Sequence, residues 1–319
     1  MGYQSGATSL TLIDSVLELG KGWDSGITAS GDGTLIVHNS SVVTNNSASS
    51  ALIMDKRNFK VLVDGENSNF RSGYIRFKAG ARDSLLSIRD GTSYYSQDSY
   101  SMVTFDNGAT NNLVTIGPMK SAFFRTMLSF NAGSFGNRVV AEPGGSLSFQ
   151  GMHKVAMSGQ DNRLVSSNGT FTIMTFRAGL DTVSASNAVE IVGDDATFTV
   201  SRDFIVGNKD NAAPPRFEFK PGAQGFNGVA PFRSTGNNGY SKAISNMVVS
   251  VDATEYVGEK TGKFKLPLMK FSYAPQRLEV DELNAKLESE PAGGTLSYDT
   301  TDKTLYWKCH RGGLTIILR

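Results

Sequence analysis

Residues 137–173 read NRVVAEPGGSLSFQGMHKVAMSGQDNRLVSSNGTFTI, and this stretch holds the same short unit twice. Each copy starts at an asparagine, Asn137 or Asn162, and continues into an apolar run typical of a β-strand. A glycine-containing turn and a second strand with alternating apolar residues follow in both copies. An asparagine that recurs after 25 residues, with the same order of elements behind it, predicts a repeat protein.

The register extends in both directions from this pair. A Phe or another apolar residue, a Gly three positions later and an Asn or Asp soon afterwards recur through the middle of the chain, and the asparagines are spaced by 26, 25, 25 and 24 residues. The series comprises Phe105, Gly108 and Asn111; Phe130, Gly133 and Asn137; Ala156, Gly159 and Asn162; Phe176, Gly179 and Asn187; and Phe204, Gly207 and Asn211, with Phe77, Gly80 and Asp83 upstream.

Composition and spacing together predict the architecture. The chain has 34 glycines but 9 prolines among 319 residues, so glycine makes most of its turns. Three short strands and three turns fit in each unit, and a strand advances about 3.3 Å per residue, so one unit closes a single coil of a parallel β-solenoid. A propeller blade would need about 40 residues. We therefore expect an all-β fold with three strands per coil of about 25 residues.

The ends of a solenoid need covers, because an open end exposes unpaired backbone groups. We expect an N-terminal cap over residues 1–30, the parallel β-helix over residues 31–235, and final coils with an antiparallel β cap over residues 236–319. Leu12, Ile13, Val16 and Leu17 fall near one helical face, which favours a capping helix over residues 9–20, with a capping strand as the alternative. The C-terminal segments 295–298, 305–307 and 314–318 predict a three-stranded meander.

Charge and cysteine content disfavour several classes of function. The net charge is +1 and the sequence has no basic run, so we expect no nucleic-acid partner. The single cysteine, Cys309, cannot form an internal disulfide or a multi-cysteine zinc site, and we expect no metal and no cofactor. We find no apolar stretch long enough to span a membrane and no signal peptide in the chain as given, which also fits an exported protein that lacks its leader.

The repeat style resembles the right-handed parallel β-helix of pectate-lyase-like proteins and autotransporter passengers. The resemblance covers roughly residues 30–235 and rests on the coil length and the Gly and Asn corners, without a unique motif. It implies a right-handed coil and an extracellular or cell-surface location. It also implies two activities known for that fold, polysaccharide cleavage and surface adhesion.

Some hydrolases of this fold carry paired aspartates in a Gly-Asp-Asp segment, and Gly193-Asp194-Asp195 is similar to it. The other signatures of that family are missing from the sequence. The same three residues also occupy a corner that Gly144-Gly145 and Asn168-Gly169 fill in earlier coils. The turn interpretation is therefore favoured over a catalytic carboxylate pair.

The candidate binding residues are tyrosines among small polar residues, together with two arginines. Tyrosine offers a flat face to a sugar ring or a protein, and amide or carboxylate groups can bind hydroxyls. The arginines occupy equivalent positions one coil apart, which suggests a small outward basic ladder. An inward-pointing tyrosine and a solvated arginine are the plain alternatives. The candidates are Tyr94, Tyr95, Gln97, Asp98, Tyr100, Arg138 and Arg163.

Two functions remain open at this point. The first is a non-enzymatic extracellular β-helix, an adhesin-like or passenger-like structural or binding module, with a polysaccharide or a cell-surface glycan as the expected partner. The second is a polysaccharide lyase or glycoside hydrolase of the pectate-lyase-like class, including the tailspike type. The second requires charged side chains that converge in a groove beside Tyr94–Tyr100.

Overall fold

The computed structural model describes residues 8–18, 27–29, 31–43, 51–71, 74–89, 93–95, 102–118, 121–124, 127–179, 185–207, 214–236, 244–258, 262–274 and 278–311. The strands in chain order are β1 Thr8–Ile13, β2 Val16–Glu18, β3 Ile27–Ala29, β4 Gly33–His38, β5 Ser41–Val43, β6 Ala51–Met54, β7 Phe59–Asp64, β8 Asn69–Arg71, β9 Tyr74–Phe77, β10 Leu85–Ile88, β11 Ser93–Tyr95, β12 Met102–Phe105, β13 Leu113–Ile116, β14 Ser121–Phe124, β15 Met127–Phe130, β16 Arg138–Ala141, β17 Ser146–Met157, β18 Arg163–Ser167, β19 Thr170–Ala178, β20 Ala188–Val192, β21 Thr197–Val206, β22 Arg216–Lys220, β23 Phe232–Ser234, β24 Val248–Asp252, β25 Gly262–Phe271, β26 Glu288–Glu290, β27 Thr295–Asp299 and β28 Thr304–Arg311. The helical elements are two 3-10 turns, Phe226–Gly228 and Ile244–Asn246, and the helix α1, Val280–Asn284.

Three parallel ladders run along the solenoid. The first ladder is an eleven-stranded sheet in the order β1-β4-β7-β10-β13-β16-β18-β20-β22-β24-β26. The second ladder passes from β2 through β5, β8, β11 and β14 into the first halves of β17, β19 and β21, and then into β23 and β25. The third passes from β3 through β6, β9, β12 and β15 into the second halves of β17, β19 and β21. This arrangement confirms the parallel β-solenoid; its right hand stays a prediction.

The interior is a continuous column of apolar side chains, because equivalent inward positions stack from coil to coil. The rings of Phe77 and Phe105 stack with centroids 4.6 Å apart, and those of Phe105 and Phe130 stack at 4.8 Å. All three rings are fully buried. The spacing matches the distance between neighbouring strands, about 4.8 Å, so backbone pairing alone sets the stacking distance.

A buried row of asparagines, which we call the asparagine ladder, marks the corner before the first ladder: Asn112, Asn137, Asn162 and Asn187. The amide oxygens of Asn137, Asn162 and Asn187 each accept hydrogen bonds from the backbone N–H and the side-chain Nδ2 of the asparagine 25 residues earlier, as between Asn137 and Asn112 at 3.1 and 2.9 Å. At the start of the row, Asn112 Oδ1 accepts from the backbone N–H of Ser84 at 3.1 Å. Each Nδ2 also donates to a backbone carbonyl of an earlier coil, for example Asn137 to Ala109 at 2.9 Å. The predicted role of asparagine as a register marker is therefore confirmed, and the reason is that its amide satisfies buried backbone groups.

The structural register differs from the predicted alignment by one or two residues at three positions. The asparagine ladder uses Asn112, whereas its neighbour Asn111 is exposed and adopts a positive φ of 54°. Phe130 pairs with Met157 rather than with Ala156, and Phe176 pairs with Val155. The prediction was wrong there because a sequence pattern aligns residue types, whereas strand pairing decides which face a residue occupies. Asn211 lies outside the described residues.

The N-terminal segment is strand rather than helix. Strands β1 and β2 occupy residues for which a capping helix was favoured, and they pair in parallel with β4 and β5. The helical prediction is wrong as far as residue 18, where the described segment ends, and the alternative of a strand is confirmed there. Leu10 and Leu12 alternate with polar residues and continue the inward row of Leu35 and Val37. Residues 8–18 therefore form part of the first coil.

An antiparallel unit covers the C-terminal end, as predicted, but its members differ. Strand β28 pairs antiparallel with β27 and with β25. The third strand expected at residues 314–318 lies outside the described residues, and β25 takes the place next to β28. Because β25 also pairs in parallel with β23, it connects the cap to the second ladder.

Asn137→Ala should lower the free energy of unfolding by about 2–3 kcal/mol, because it leaves the buried backbone N–H of Asn112 without a partner and removes one of the two hydrogen bonds to the carbonyl of Ala109. The measurement is urea unfolding followed by circular dichroism. Asn111→Gly is the matched control, since it keeps the positive φ at an exposed position and should change stability by less than about 0.5 kcal/mol. Equal effects of the two changes would contradict a structural role for the asparagine ladder.

Candidate functional site

Charged side chains converge on the outward face of the first ladder, near its C-terminal end. The inward residues there are apolar and buried, for example Leu164, Val189 and Phe217. Since side chains alternate along a strand, the residues between them point outward. We call this group the charged cluster; it comprises Asp161, Arg163, Glu190, Arg216, Glu218, Lys220 and Glu288.

Two glutamates form the centre of the charged cluster. Glu190 and Glu218 are register partners on β20 and β22, so their Cα atoms lie about 4.8 Å apart. Their side chains are only 8% and 12% exposed. Like charges at such a distance repel, so cations must surround them for the arrangement to be stable.

Three cations supply that compensation. Arg163 Nη1 lies 2.5 Å from Glu190 Oε1 and 3.5 Å from Glu218 Oε2. Lys220 Nζ lies 3.7 Å from Glu190 Oε2 and 3.8 Å from Glu218 Oε2. Arg216 Nε lies 3.3 Å from Glu218 Oε1, and the Arg216 guanidinium also forms a bidentate pair with Glu288. Each central carboxylate is therefore neutralised within the cluster.

A small residue, Ala188, lies between the two arginines of the charged cluster. Ala188 is the register partner of both Arg163 and Arg216, on the strand between them. Its short side chain leaves room for both guanidinium groups beside the glutamates, and it is itself 1% exposed. A longer residue at this position would fill the space that the two arginine side chains use.

The ion pairs shift the pKa values of the outer members. Partial burial opposes the charge on Arg163, but the hydrogen bond to Glu190 and the nearby carboxylates of Glu218 and Asp161 outweigh it, and its pKa lies above the ordinary value. The hydrogen bond from Arg216 lowers the pKa of Glu288. The same bond with Glu288 raises the pKa of Arg216.

Arg138 and Arg163 are register partners on β16 and β18, which confirms their predicted equivalence. They do not form an isolated basic ladder, because Arg163 pairs with Glu190, Glu218 and Asp161. Arg138 is exposed, and it makes no ion pair with a carboxylate among the residues that the structure describes.

Two of the tyrosine candidates lie on a strand of a different ladder. Tyr94 and Tyr95 lie on β11 of the second ladder, where Tyr94 pairs with Phe70 and with Ala122. Gln97, Asp98 and Tyr100 lie outside the described residues. The backbone of Tyr94 and Tyr95 therefore lies in the second ladder, whereas Arg138 and Arg163 lie on strands of the first.

Gly193-Asp194-Asp195 is a corner, which agrees with the favoured interpretation. The Asp194 carboxylate accepts hydrogen bonds from the backbone N–H groups of Gln224 at 2.9 Å and Phe226 at 3.0 Å. Asn227 Nδ2 donates to the Asp194 carbonyl and to Asp195 Oδ1. The two aspartates thus hold the turn of the next coil through hydrogen bonds from backbone and amide donors.

Sequence reasoning missed six members of the charged cluster: Asp161, Glu190, Arg216, Glu218, Lys220 and Glu288. A signal for three of them was present, since Arg216-Phe-Glu-Phe-Lys220 alternates charge with phenylalanine and predicts one charged face. Glu288 could not be found this way, because it lies 72 residues after Arg216 and meets it only through the fold.

Comparisons with known proteins find no match to a family model, to a curated protein or to a solved structure. Within the described residues, no group of three or more His, Cys, Asp or Glu side chains is arranged to hold a metal ion. The helices in that same part of the chain fall short of the length and apolarity needed to cross a bilayer.

Arg163→Ala should lower the free energy of unfolding by about 2 kcal/mol, because it leaves Glu190 buried with Lys220 as its remaining cation. Chemical denaturation measures the change. Arg138→Ala, one coil away in the same row, removes an exposed arginine and should cost less than about 0.5 kcal/mol. An Arg138 variant as unstable as the Arg163 variant would contradict this account of the cluster.

The Arg216–Glu288 pair should make stability depend on pH in the acid range. Because the folded-state pKa of Glu288 is lowered, its contribution is complete above the ordinary glutamate pKa and is lost as the pH falls through the lowered value. In Arg216→Gln, the Glu288 pKa should return toward its ordinary range. Carboxyl-carbon NMR titration, with Glu288→Gln to assign the resonance, reads this out; an unchanged titration would refute the pairing.

Proposed function

We propose that this chain is a non-enzymatic β-helix module of an extracellular or cell-surface protein, and that it presents rigid faces for binding a glycan. The observation that carries the proposal is the pairing of both central glutamates with cations of the charged cluster. Glu190 and Glu218 are each within 4 Å of two or more cations, and both side chains are largely buried. A general acid or base must instead reach its substrate and exchange a proton with it.

The architecture supports the same role. Each coil contacts its neighbours through parallel strands over eleven strands of the first ladder, so the module is an elongated scaffold with repeated outward positions. Arg138 is the best described candidate for ligand contact, because it is exposed and free of carboxylate partners among the described residues. A cation in this state is available to a uronate or sulfate group of an acidic glycan.

A polysaccharide lyase or glycoside hydrolase, including the tailspike type, is the second candidate. The observation in its favour is the pairing of Glu190 with Glu218 on an outward face, beside Arg163 and Lys220. Strand spacing places the two Cα atoms about 4.8 Å apart, which is compatible with the carboxyl separation of about 5–5.5 Å that retaining glycosidases use. The enzyme requires that at least one of these carboxylates become accessible to a sugar.

One set of assays separates the two functions. The protein is applied to a glycan array and incubated with neutral and acidic polysaccharides, with reducing ends and the ultraviolet absorbance of unsaturated uronides as readouts. We expect binding without turnover. We also expect Arg138→Ala to weaken binding to acidic glycans about tenfold while its thermal stability stays unchanged, since one charge-assisted contact contributes roughly 1.5 kcal/mol.

The controls use the paired glutamates. Glu190→Gln and Glu218→Gln should retain the glycan binding of the parent, because neither carboxylate contacts the ligand in the proposed module. Turnover that both substitutions abolish in folded protein would establish the enzyme instead. If the protein neither binds nor cleaves any glycan of the panel, both proposals are wrong for those glycans.

A further inference from the structure

The two edges of the eleven-stranded sheet differ in the features that protect an edge from pairing. At one edge, β26 is three residues long, carries Glu288 and Glu290, and is followed by Pro291. Short length, charge and proline are the devices that block further strand addition. At the other edge, β1 is six residues long and contains neither a charged residue nor a proline.

The β1 edge also exposes side chains that belong to interior rows. Leu10 is 52% exposed, whereas its register partner on the next coil, Leu35, is 2% exposed. Leu12 is partly buried, and its partner Val37 is fully buried. Among the described strands, β1 pairs with β4 alone, so one row of its backbone N–H and C=O groups has no strand partner there. An uncharged edge with exposed apolar residues is suited to pair with another strand.

We propose that the β1 edge is an interface between two copies of this chain, in which β1 pairs antiparallel with β1 of the second copy. A head-to-tail stack is disfavoured, because β1 would have to meet the two glutamates of β26 at the other end. An isologous contact, in which the same edge meets itself around a twofold axis, avoids that charge and closes after two copies. Its uncharged sequence makes β1 compatible with a copy of itself.

The side-chain pattern fixes the register of this pairing. Directly opposite residues in an antiparallel pair share a face, so the inward leucines must meet inward leucines. Centring the pair on Thr11 places Leu10 opposite Leu12 of the second copy, and Ser9 opposite Ile13. Thr11 then lies opposite Thr11 of the second copy on the outward face, with Cα atoms about 4.5–5.5 Å apart, which is within disulfide range.

Light scattering coupled to size-exclusion chromatography tests the interface. We expect a concentration-dependent dimer for the parent and a monomer for Thr11→Lys, which places two ammonium groups opposite each other on an exposed face. Thr34→Lys is the matched control, because it adds the same charge to the outward face of the next coil. A parent that is monomeric at all concentrations overturns the proposal. A dimer that Thr11→Lys leaves intact overturns it as well.

Oxidative cross-linking tests the register. Thr11→Cys should form a covalent dimer under mild oxidation, whereas Ser9→Cys should not, because the two copies of residue 9 would lie about 13 Å apart. Both variants retain the buried Cys309, so it serves as a common background. Equal cross-linking of Ser9→Cys and Thr11→Cys would refute the pairing of β1 with itself. The absence of cross-linking in both variants, in a protein that is a dimer, would refute it as well.

Discussion

Parallel pairing between successive coils is the constraint on which the rest of this structure depends. Because each strand bonds to the equivalent strand of the next coil, every side chain sits directly above a counterpart at a fixed distance. The Phe77, Phe105 and Phe130 stack and the asparagine ladder both follow from this geometry. Buried amides suit such a stack because each can accept from one neighbour while donating to another, and they pair backbone N–H and C=O groups of the corner as they do so.

The same constraint explains the charged cluster. Stacking in register brings like charges together, as it does for Glu190 and Glu218, and a solenoid can tolerate them only where cations approach from the flanking rows. Arg163 and Arg216 do so over the short side chain of Ala188. The cluster is therefore explained first as compensation within the ladder.

The two ends of the solenoid differ in how their edge strands are protected from pairing with another chain. The C-terminal end combines an antiparallel cap with a short, charged edge strand, while the N-terminal edge is longer, uncharged and partly apolar. Since strand pairing is the interaction that holds the coils together, an unprotected edge offers that same interaction to another chain. The proposed contact between two copies uses no chemistry that the solenoid does not already use between its coils.

The sequence by itself determined the solenoid, its coil length and the asparagine corner, because the partner of each coil is the next coil and the signal is therefore local and periodic. It also placed Arg138 and Arg163 in one row correctly. Tertiary structure decided that Asn112 rather than Asn111 joins the ladder, that residues 8–18 are strand, and that Glu288 meets Arg216 across 72 residues. These outcomes depend on strand register, in which a shift of one residue moves a side chain from the core to the surface, and residue type alone does not specify that register.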